Sequence, residues 1–140
     1  MTQQIYPCLW FDGKAREAAE FYCNIFENSS IISDNGLVVI FQLNGAKFMG
    51  LNGGPMFKFS EALSLVIDCE TQEEIDFYWN RLTEGGEESM CGWLKDRYGV
   101  SWQVVPFNLI TLLSDPTHAK SVEKALLQMR KIDIEKLTQV

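Results

Sequence analysis

Side chains that could attack a substrate as activated nucleophiles are scarce in this sequence. It contains one histidine, His118, in the C-terminal part of the chain. Serine and cysteine nucleophiles need a neighbouring base, most often histidine, and that base is oriented by a third group. His118 lies in a segment with helical periodicity, where a solvated surface position is the favoured interpretation. The sequence therefore predicts no Ser–His–Asp or Cys–His catalytic arrangement.

The cysteines do not form a recognisable redox or metal motif. They are Cys8, Cys23, Cys69 and Cys91, and no two of them form a C-x-x-C pair. In a cytoplasmic chain, this spacing favours free thiols over disulfides or a metal site. Cys91 follows the acidic pair Glu87-Glu88, an electronegative setting that does not activate a thiol.

Carboxylates could act as general acids or bases. The candidates are Glu61 and the pair Glu87-Glu88. Charged side chains are mostly exposed in folded proteins, so a solvated surface role is favoured for each of them. An acid–base role for these glutamates remains the alternative.

Net charge argues against two classes of partner. The 140 residues carry a formal charge of −7, and the isoelectric point is near 4.7. Nucleic acids and anionic membranes bind basic surfaces, so neither is predicted as a partner. The beginning of the chain lacks a signal-peptide profile, and no apolar run approaches the roughly 18 residues of a membrane span. We therefore predict a cytoplasmic protein.

One structural plan occurs twice in the sequence. Leu9-Trp10-Phe11-Asp12 leads into a helical pattern, and Leu65-Val66-Ile67-Asp68 repeats this order at an offset of 56 residues (68 − 12). Glycine turns at Gly45 and Gly99 then precede matching strand patterns at an offset of 54 residues (99 − 45). Each copy predicts a strand, a helix and three further strands. Two copies are fewer than the three or so that repeat arrays need, so the halves are expected to bury apolar faces against each other or against another chain.

Local signals place the elements of the first copy. Strands are predicted at residues 5–11, around Ile31-Ile32, and at 37–43 and 46–51, with an Asn35-Gly36 hairpin turn. A helix is predicted over residues 13–26 with Asp12 as its N-cap. Its apolar stripe begins with small alanines at positions 15, 18 and 19, which would allow a close approach to a sheet.

The second copy has a more clearly marked helix. Thr71 and Glu74 form a predicted capping box, and the helix is expected over residues 71–84. Strands are predicted at about residues 88–94 and 100–105, separated by a turn at 96–99. Beyond residue 107, a helix is predicted from Asp115-Pro116 to about Arg130, followed by a short helix at Ile134 and Leu137.

Four sequence blocks together resemble one protein family. They are Leu9-Trp10-Phe11-Asp12-Gly13; Asn52-Gly53-Gly54-Pro55-x-Phe57-Lys58-Phe59; Cys91-Gly92-Trp93-Leu94-Lys95-Asp96-Arg97-Tyr98-Gly99-x-Ser101-Trp102-Gln103; and Leu127-Gln128-Met129-x-Lys131-x-Asp133-Ile134. These blocks resemble the PhnB-like family, also described as 3-demethylubiquinone-9 3-methyltransferase-like. That family belongs to the vicinal-oxygen-chelate superfamily, which includes glyoxalase I, bleomycin-resistance proteins and extradiol dioxygenases.

The resemblance spans essentially the whole chain and implies an architecture. We expect an α+β fold in which two βαβββ modules form a half-open, glyoxalase-like barrel around a ligand, with the helices outside. A single domain over residues 1–140 would contain module 1 at about 3–56, module 2 at about 57–107 and a helical tail at about 108–140. The resemblance also implies a homodimer.

The metal ligands of the superfamily are not matched in this sequence. Counting from the two strand–helix junctions, the resemblance puts the four ligand positions at Ile5, Met49, Glu61 and Gln103. Moving the first-strand register by two gives Pro7 and Leu63 instead. Catalytic zinc, nickel or iron sites use imidazole or carboxylate ligands, so we predict that no metal and no other cofactor is bound.

The methyltransferase description of the family is not supported by residue chemistry. S-adenosylmethionine is usually held where a glycine-rich loop opens a helix, whose N-terminus carries a partial positive charge. Here Gly53-Gly54 is followed by Pro55 and an aromatic segment. The glycines have two other interpretations: simple linker geometry, or a loop that closes over a pocket.

The sequence leaves two functional hypotheses, and a ligand-binding pocket is predicted for the first of them. Its lining is predicted to be Leu9, Met49, Asn52, Phe57, Phe59, Leu65, Cys91, Trp93 and Gln103. Alternation along the strands should put Phe48 and Trp102 under the helices, and Met49 and Gln103 on the opposite face. The first hypothesis is a metal-free protein that binds a small, largely apolar or aromatic molecule. The alternative is an enzyme of the vicinal-oxygen-chelate type, such as a lyase, isomerase or dioxygenase, acting on a small metabolite.

Overall fold

The duplicated pattern folds into two α+β units, each with the order strand, helix and three strands. A computed structural model describes residues 2–139, and the boundary between the units lies between Phe59 and Ser60. This boundary falls close to the predicted start of module 2. The α+β class and the βαβββ order of both modules are confirmed.

Unit 1 consists of one helix and a four-stranded mixed sheet. Its elements are β1 (Cys8–Phe11), α1 (Ala15–Cys23), β2 (Ser30–Asp34), β3 (Val38–Leu43) and β4 (Ala46–Asn52). The strand order is β1-β4-β3-β2; β1 pairs with β4 in parallel, and the other pairs are antiparallel. The predicted hairpin at Asn35-Gly36 is confirmed between β2 and β3.

The core of unit 1 lies between α1 and one face of this sheet. Ala18 and Ala19 are fully buried, and the Tyr22 ring stacks on Phe41 with 6.3 Å between centroids. A Cβ atom added to Gly50 of β4 would lie 3.2 Å from Ala15 Cβ. The close approach predicted from the small alanines is therefore confirmed.

The beginning of α1 differs from the prediction, because Asp12 is not its N-cap. Lys14 occupies the N-cap position without a capping side-chain hydrogen bond. The first helical N–H, that of Ala15, is instead bonded to Asn52 Oδ1 at 2.9 Å, from the end of β4. Asn52 lies 37 residues away in the sequence. Capping patterns involve residues within a few positions of the helix start, so they do not indicate this contact with Asn52.

Unit 2 repeats this plan and adds three helices. Its elements are β5 (Ser64–Cys69), α2 (Gln72–Thr83), β6 (Glu87–Glu88), β7 (Trp93–Lys95), β8 (Ser101–Pro106), α3 (Leu109–Ser114), α4 (Ala119–Leu126) and α5 (Ile134–Thr138). The strand order is β5-β8-β7-β6, again with a parallel first pair, β5 and β8. Thr71 caps α2 as predicted, because its side chain accepts a hydrogen bond from the Glu74 N–H at 3.2 Å.

The strand predicted over residues 88–94 is wrong as a continuous element. It is interrupted at Cys91 and Gly92, whose φ angles are +61° and +85°. Neither angle belongs to a strand, and the left-handed region is rarely adopted by residues other than glycine. The backbone N–H groups of Cys91 and Gly92 instead donate to the carbonyls of Met129 and Arg130, both at 2.8 Å.

The C-terminal tail is thereby attached to unit 2. Gln72 strengthens the attachment, because its amide donates to the Ile132 carbonyl and accepts from the Ile134 N–H, each at 2.9 Å. Helix α3 was not predicted, and α4 begins at Ala119, later than the predicted start at Asp115-Pro116. The predicted last short helix is confirmed as α5. Within residues 2–139, no helix is long and apolar enough to cross a membrane.

Candidate functional site

The sheet of unit 1 has one face that α1 does not cover. We call this the open face of unit 1, and it consists of Cys8, Trp10, Val38, Ile40, Met49 and Leu51. Pairing places Cys8, Met49 and Ile40 in one row, and Trp10, Leu51 and Val38 in the next. Phe48, on the opposite side of β4, is buried under the helix while Met49 is half-buried, as alternation predicts. These two rows are apolar, whereas Gln42 and Lys47 form the next row on the same side of the sheet and are polar.

Leu9 and Leu65 do not belong to the open faces. Leu9 is 2% exposed and pairs with Gly50, which packs against α1. Leu65 pairs with Trp102, which is buried on the helix side of unit 2. A ligand on the open face of either sheet would not contact these leucines. We therefore assign Leu9 to the core of unit 1 and place the half-buried Leu65 on the helix side of the unit 2 sheet.

The amide of Asn52 already has structural partners. Its oxygen accepts the Ala15 N–H described above, and its nitrogen donates to the Gly36 carbonyl at 3.1 Å. The side chain thus joins the start of α1 to the β2–β3 turn. It contributes to folding in the observed arrangement, and we do not include it among ligand contacts.

The loop after β4 packs on Trp10 of the open face. The Trp10 indole N–H donates to the Gly54 carbonyl at 2.8 Å, and a Cβ atom at Gly53 would overlap the indole ring. Phe57 contacts Trp10 edge-on, with 4.9 Å between ring centroids. Phe59 instead contacts Phe11, at 5.5 Å, and Phe11 is a core residue. Of the two predicted aromatic walls, only Phe57 therefore stands beside the open face.

The equivalent face of the sheet in unit 2 is more polar. We call this the open face of unit 2, and it carries Val66, Trp93, Lys95 and Gln103. Gln103 pairs directly with Trp93 on one side and with Val66 on the other. Its amide nitrogen donates to Ser64 Oγ at 3.0 Å. The predicted residues Trp93 and Gln103 are thus neighbours.

A cleft of about 170 Å³ opens beside this face, and the sequence did not predict it as one site. We call it the acidic cleft; it is lined by Glu61, Glu87, Glu88, Ser89, Trp93, Leu94, Lys95 and Ser101. Lys95 Nζ lies 2.6 Å from Glu61 Oε1. This contact lowers the pKa of Glu61 and raises that of Lys95 from their usual values. The sequence pointed to Glu61, Glu87, Glu88 and Trp93 separately, and alternation puts Lys95 on the same side of β7 as Trp93. Nothing in the sequence joined these residues into one site.

The cysteines show no activated thiol site. All four are free, as predicted. Burial, followed by the charges of Glu74 and Asp68, raises the pKa of Cys69 to about 12. Cys91 is half-buried, and the contacts that fix its position come from its backbone. His118 is exposed and pairs with Asp115 at 3.0 Å, in agreement with its predicted surface role.

The residues at the superfamily's metal positions do not fit a metal. Ile5 is fully exposed and, like Met49, offers no oxygen or nitrogen donor. The Glu61 carboxylate is paired with Lys95, and the Gln103 amide with Ser64. Among residues 2–139, no group of three or more His, Cys, Asp or Glu side chains could hold a metal ion.

Comparisons with known proteins agree with the resemblance noted in the sequence. A family model described as 3-demethylubiquinone-9 3-methyltransferase matches residues 3–105. No curated protein matches the chain. A solved structure from Bacillus cereus, described as a putative 3-demethylubiquinone-9 3-methyltransferase, PhnB protein, is 38% identical. The match has a TM-score of 0.68 and covers 74% of this chain and 99% of that one.

More distant structures share the fold. Protein PA1353 from Pseudomonas aeruginosa is 20% identical, with a TM-score of 0.62 and coverage of 75% of this chain and 98% of its own. The fosfomycin resistance protein FosX from Listeria monocytogenes, complexed with Mn(II) and sulfate, is 15% identical, with a TM-score of 0.58. That match covers 76% of this chain and 90% of FosX. At these identities, the likeness concerns the fold alone.

Proposed function

Because this chain belongs to the 3-demethylubiquinone-9 3-methyltransferase-like, or PhnB-like, family of the glyoxalase-related superfamily, we propose that it is a metal-free member that binds a small organic molecule with a largely apolar or aromatic body. The observation that carries this proposal is the open face of unit 1. Trp10, Met49 and Leu51 lie there among other apolar side chains, on the side of the sheet opposite α1.

The physical argument rests on what such a face can bind. Small-molecule sites are mostly apolar and aromatic, with a few polar groups that orient the ligand. Trp10 is held by its hydrogen bond to Gly54 and by Phe57, so an aromatic wall is already in position. Holding side chains in place before binding reduces the entropy that a ligand must overcome.

Gln103 supports the same proposal for the open face of unit 2. Its amide nitrogen is bonded to Ser64, which orients the amide oxygen as a hydrogen-bond acceptor beside Trp93. A polar group placed among apolar walls discriminates between ligands, because an unmatched partner leaves it unsatisfied.

Methyl transfer is not part of this proposal. After Gly53-Gly54 the next regular element is strand β5, so the glycines do not introduce a helix N-terminus. Gly54 instead accepts the indole hydrogen bond of Trp10. The contacts of these glycines are explained by packing on Trp10.

Binding of the neutral fluorophore N-phenyl-1-naphthylamine tests the proposal. The protein is purified without chelators or metal-affinity steps. Met49→Gln should raise the Kd of the fluorophore by about threefold to tenfold, because an amide on the apolar face costs roughly 1 kcal/mol of binding free energy. Adding EDTA should change neither the affinity nor the melting temperature, because only a species bound to the native state stabilises it. Fluorescence titration, melting curves and elemental analysis provide the measurements.

Ile5→Gln is the matched control for this experiment. Ile5 is 100% exposed, so the same loss of apolar surface there should leave the affinity unchanged. Equal effects of the two substitutions would contradict binding at the open face. Stoichiometric metal that is lost from Glu61→Ala would contradict the metal-free proposal and favour an enzyme of the vicinal-oxygen-chelate type.

We also propose that the chain forms a homodimer. Strands β1 and β2 in unit 1, and β5 and β6 in unit 2, lie at the edges of their sheets. Ile32 on β2 is an exposed apolar side chain at such an edge. Proteins commonly cover exposed edges, and a second copy of the chain does so by symmetry.

Light scattering coupled to size-exclusion chromatography should return twice the 16.0 kDa mass of the chain. The mass should persist on dilution through the micromolar range. A particle of one chain mass throughout that range would show that the sheet edges are tolerated without a second copy.

A further inference from the structure

The acidic cleft of unit 2 has an excess of negative charge. Three of its lining residues, Glu61, Glu87 and Glu88, are carboxylates, and one, Lys95, is a cation, which leaves a formal charge of −2. Lys95 already forms an ion pair with Glu61, with 2.6 Å between Nζ and Oε1. Glu88 accepts the Trp79 indole N–H at 3.1 Å, whereas Glu87 faces Lys95 across the β6–β7 pair at longer range. The unneutralised charge would attract a cation.

Ser101 provides a second, independent indication of a ligand. It is 1% exposed, it lines the cleft, and its Oγ atom has no hydrogen-bond partner. Ser101 is the only residue of the described chain with such a buried, unsatisfied side-chain atom. Buried polar atoms nearly always have a partner, and leaving one unpaired destabilises the folded state. A ligand that donates a hydrogen bond to Oγ would remove this deficit.

The chemistry of the cleft favours an organic cation over a metal ion. None of its carboxylates belongs to a group that could hold a metal, within the part of the chain that the structure describes. Trp93 supplies an aromatic wall, and aromatic faces attract ammonium groups. At about 170 Å³ the cleft is smaller than the 300–1,000 Å³ typical of drug-sized ligands, so it suits one end of a molecule.

We propose that the acidic cleft binds the ammonium group of a small organic amine, with Glu87 supplying charge, Ser101 Oγ accepting one N–H and Trp93 contacting the adjacent carbon atoms. This site goes beyond the proposed function, because it assigns a ligand charge, uses none of the residues on the open face of unit 1 and shares only Trp93 with the open face of unit 2 as that proposal uses it. Failure of one proposal therefore leaves the other standing.

The test compares three ligands with the same phenyl body. We expect 2-phenylethylammonium to bind more tightly than neutral 2-phenylethanol and anionic 3-phenylpropionate. Calorimetry gives the affinities, and amide and indole NMR shifts at Trp93, Lys95 and Ser101 locate the site. Glu87→Gln should raise the Kd of the amine by about threefold to tenfold, because it removes a carboxylate charge beside the ammonium group. Glu123→Gln, which removes the same charge from the exposed surface of α4, should leave it unchanged.

Ser101→Ala separates ligand binding from a purely structural role. Alanine removes the unsatisfied hydroxyl, so the melting temperature of the unliganded protein should be unchanged or higher, while amine affinity falls by about threefold or more. Three results would overturn the proposal: absence of amine binding, equal or tighter binding of the neutral or anionic compound, or equal effects of Glu87→Gln and Glu123→Gln. N-phenyl-1-naphthylamine binding, measured in the same samples, tests the proposed function separately.

Discussion

Asp96→Ala should lower the free energy of unfolding by about 3–5 kcal/mol, because it removes the acceptor from a buried network. Asp96 is 3% exposed. Its Oδ1 accepts the N–H groups of Tyr98 and Val100 at 2.8 and 3.1 Å, and its Oδ2 accepts the Trp102 indole N–H at 2.8 Å. Truncation leaves these three donors without their acceptor, and two of the bonds are fully buried.

Urea unfolding followed by tryptophan fluorescence measures this loss. Asp12→Ala is the matched control, since Asp12 is exposed and does not cap α1. Surface substitutions of this kind usually change stability by less than about 0.5 kcal/mol. A similar midpoint for the two variants would mean that water or a rearranged turn satisfies the donors in place of Asp96.

Gly92→Ala should lower the free energy of unfolding by about 2–4 kcal/mol, from left-handed backbone strain and overpacking together. Gly92 has a φ of +85°. An added Cβ would lie 2.8 Å from the Val104 carbonyl oxygen and 2.7 Å from Ile132 Cδ1. The same glycine links β8 to the tail, since its carbonyl accepts the Val104 N–H and its N–H donates to Arg130.

Gly45→Ala, measured in the same urea experiment, separates the cost of left-handed backbone strain from the cost of overpacking. Gly45 has a φ of +88°, but nothing lies within 4 Å of an added Cβ. Its substitution should therefore cost only the backbone term, about 1–2 kcal/mol. If Gly92→Ala costs no more than Gly45→Ala, the steric contact with Val104 and Ile132 is relieved by small movements of the chain.

These two positions show that residues of the block from Cys91 to Gln103 have structural roles. Asp96 and Trp102 are joined by a buried hydrogen bond, and Gly92 permits a close approach to Val104. Gly99 has a φ of +88° and donates to the Asp96 carbonyl at 2.9 Å. Folding requirements alone account for these residue types, so the block is evidence for the fold more than for a reaction.

Local signals in the sequence were sufficient for most of the architecture. The 56-residue offset predicted two modules, and periodicity predicted α1 and α2. The Asn35-Gly36 hairpin and the Thr71 cap were also predicted correctly, because each depends on neighbouring residues whose backbone preferences are strong. The hairpin and cap signals lie within a few positions along the chain, and the repeat is visible when the two halves are compared. Neither kind of signal requires knowledge of tertiary contacts.

Tertiary structure decided the face of each strand and the partners of its polar groups. The run Cys8-Leu9-Trp10-Phe11 is apolar at every position, so alternation could not show that Leu9 points to the core; its pairing with Gly50 decides this. Asn52 reaches the start of α1 across 37 residues, and Ser101 becomes buried without a partner only when β8 pairs between β5 and β7. Strand register and contacts between residues far apart in the chain determine these features, and a one-residue shift in pairing would reverse each face.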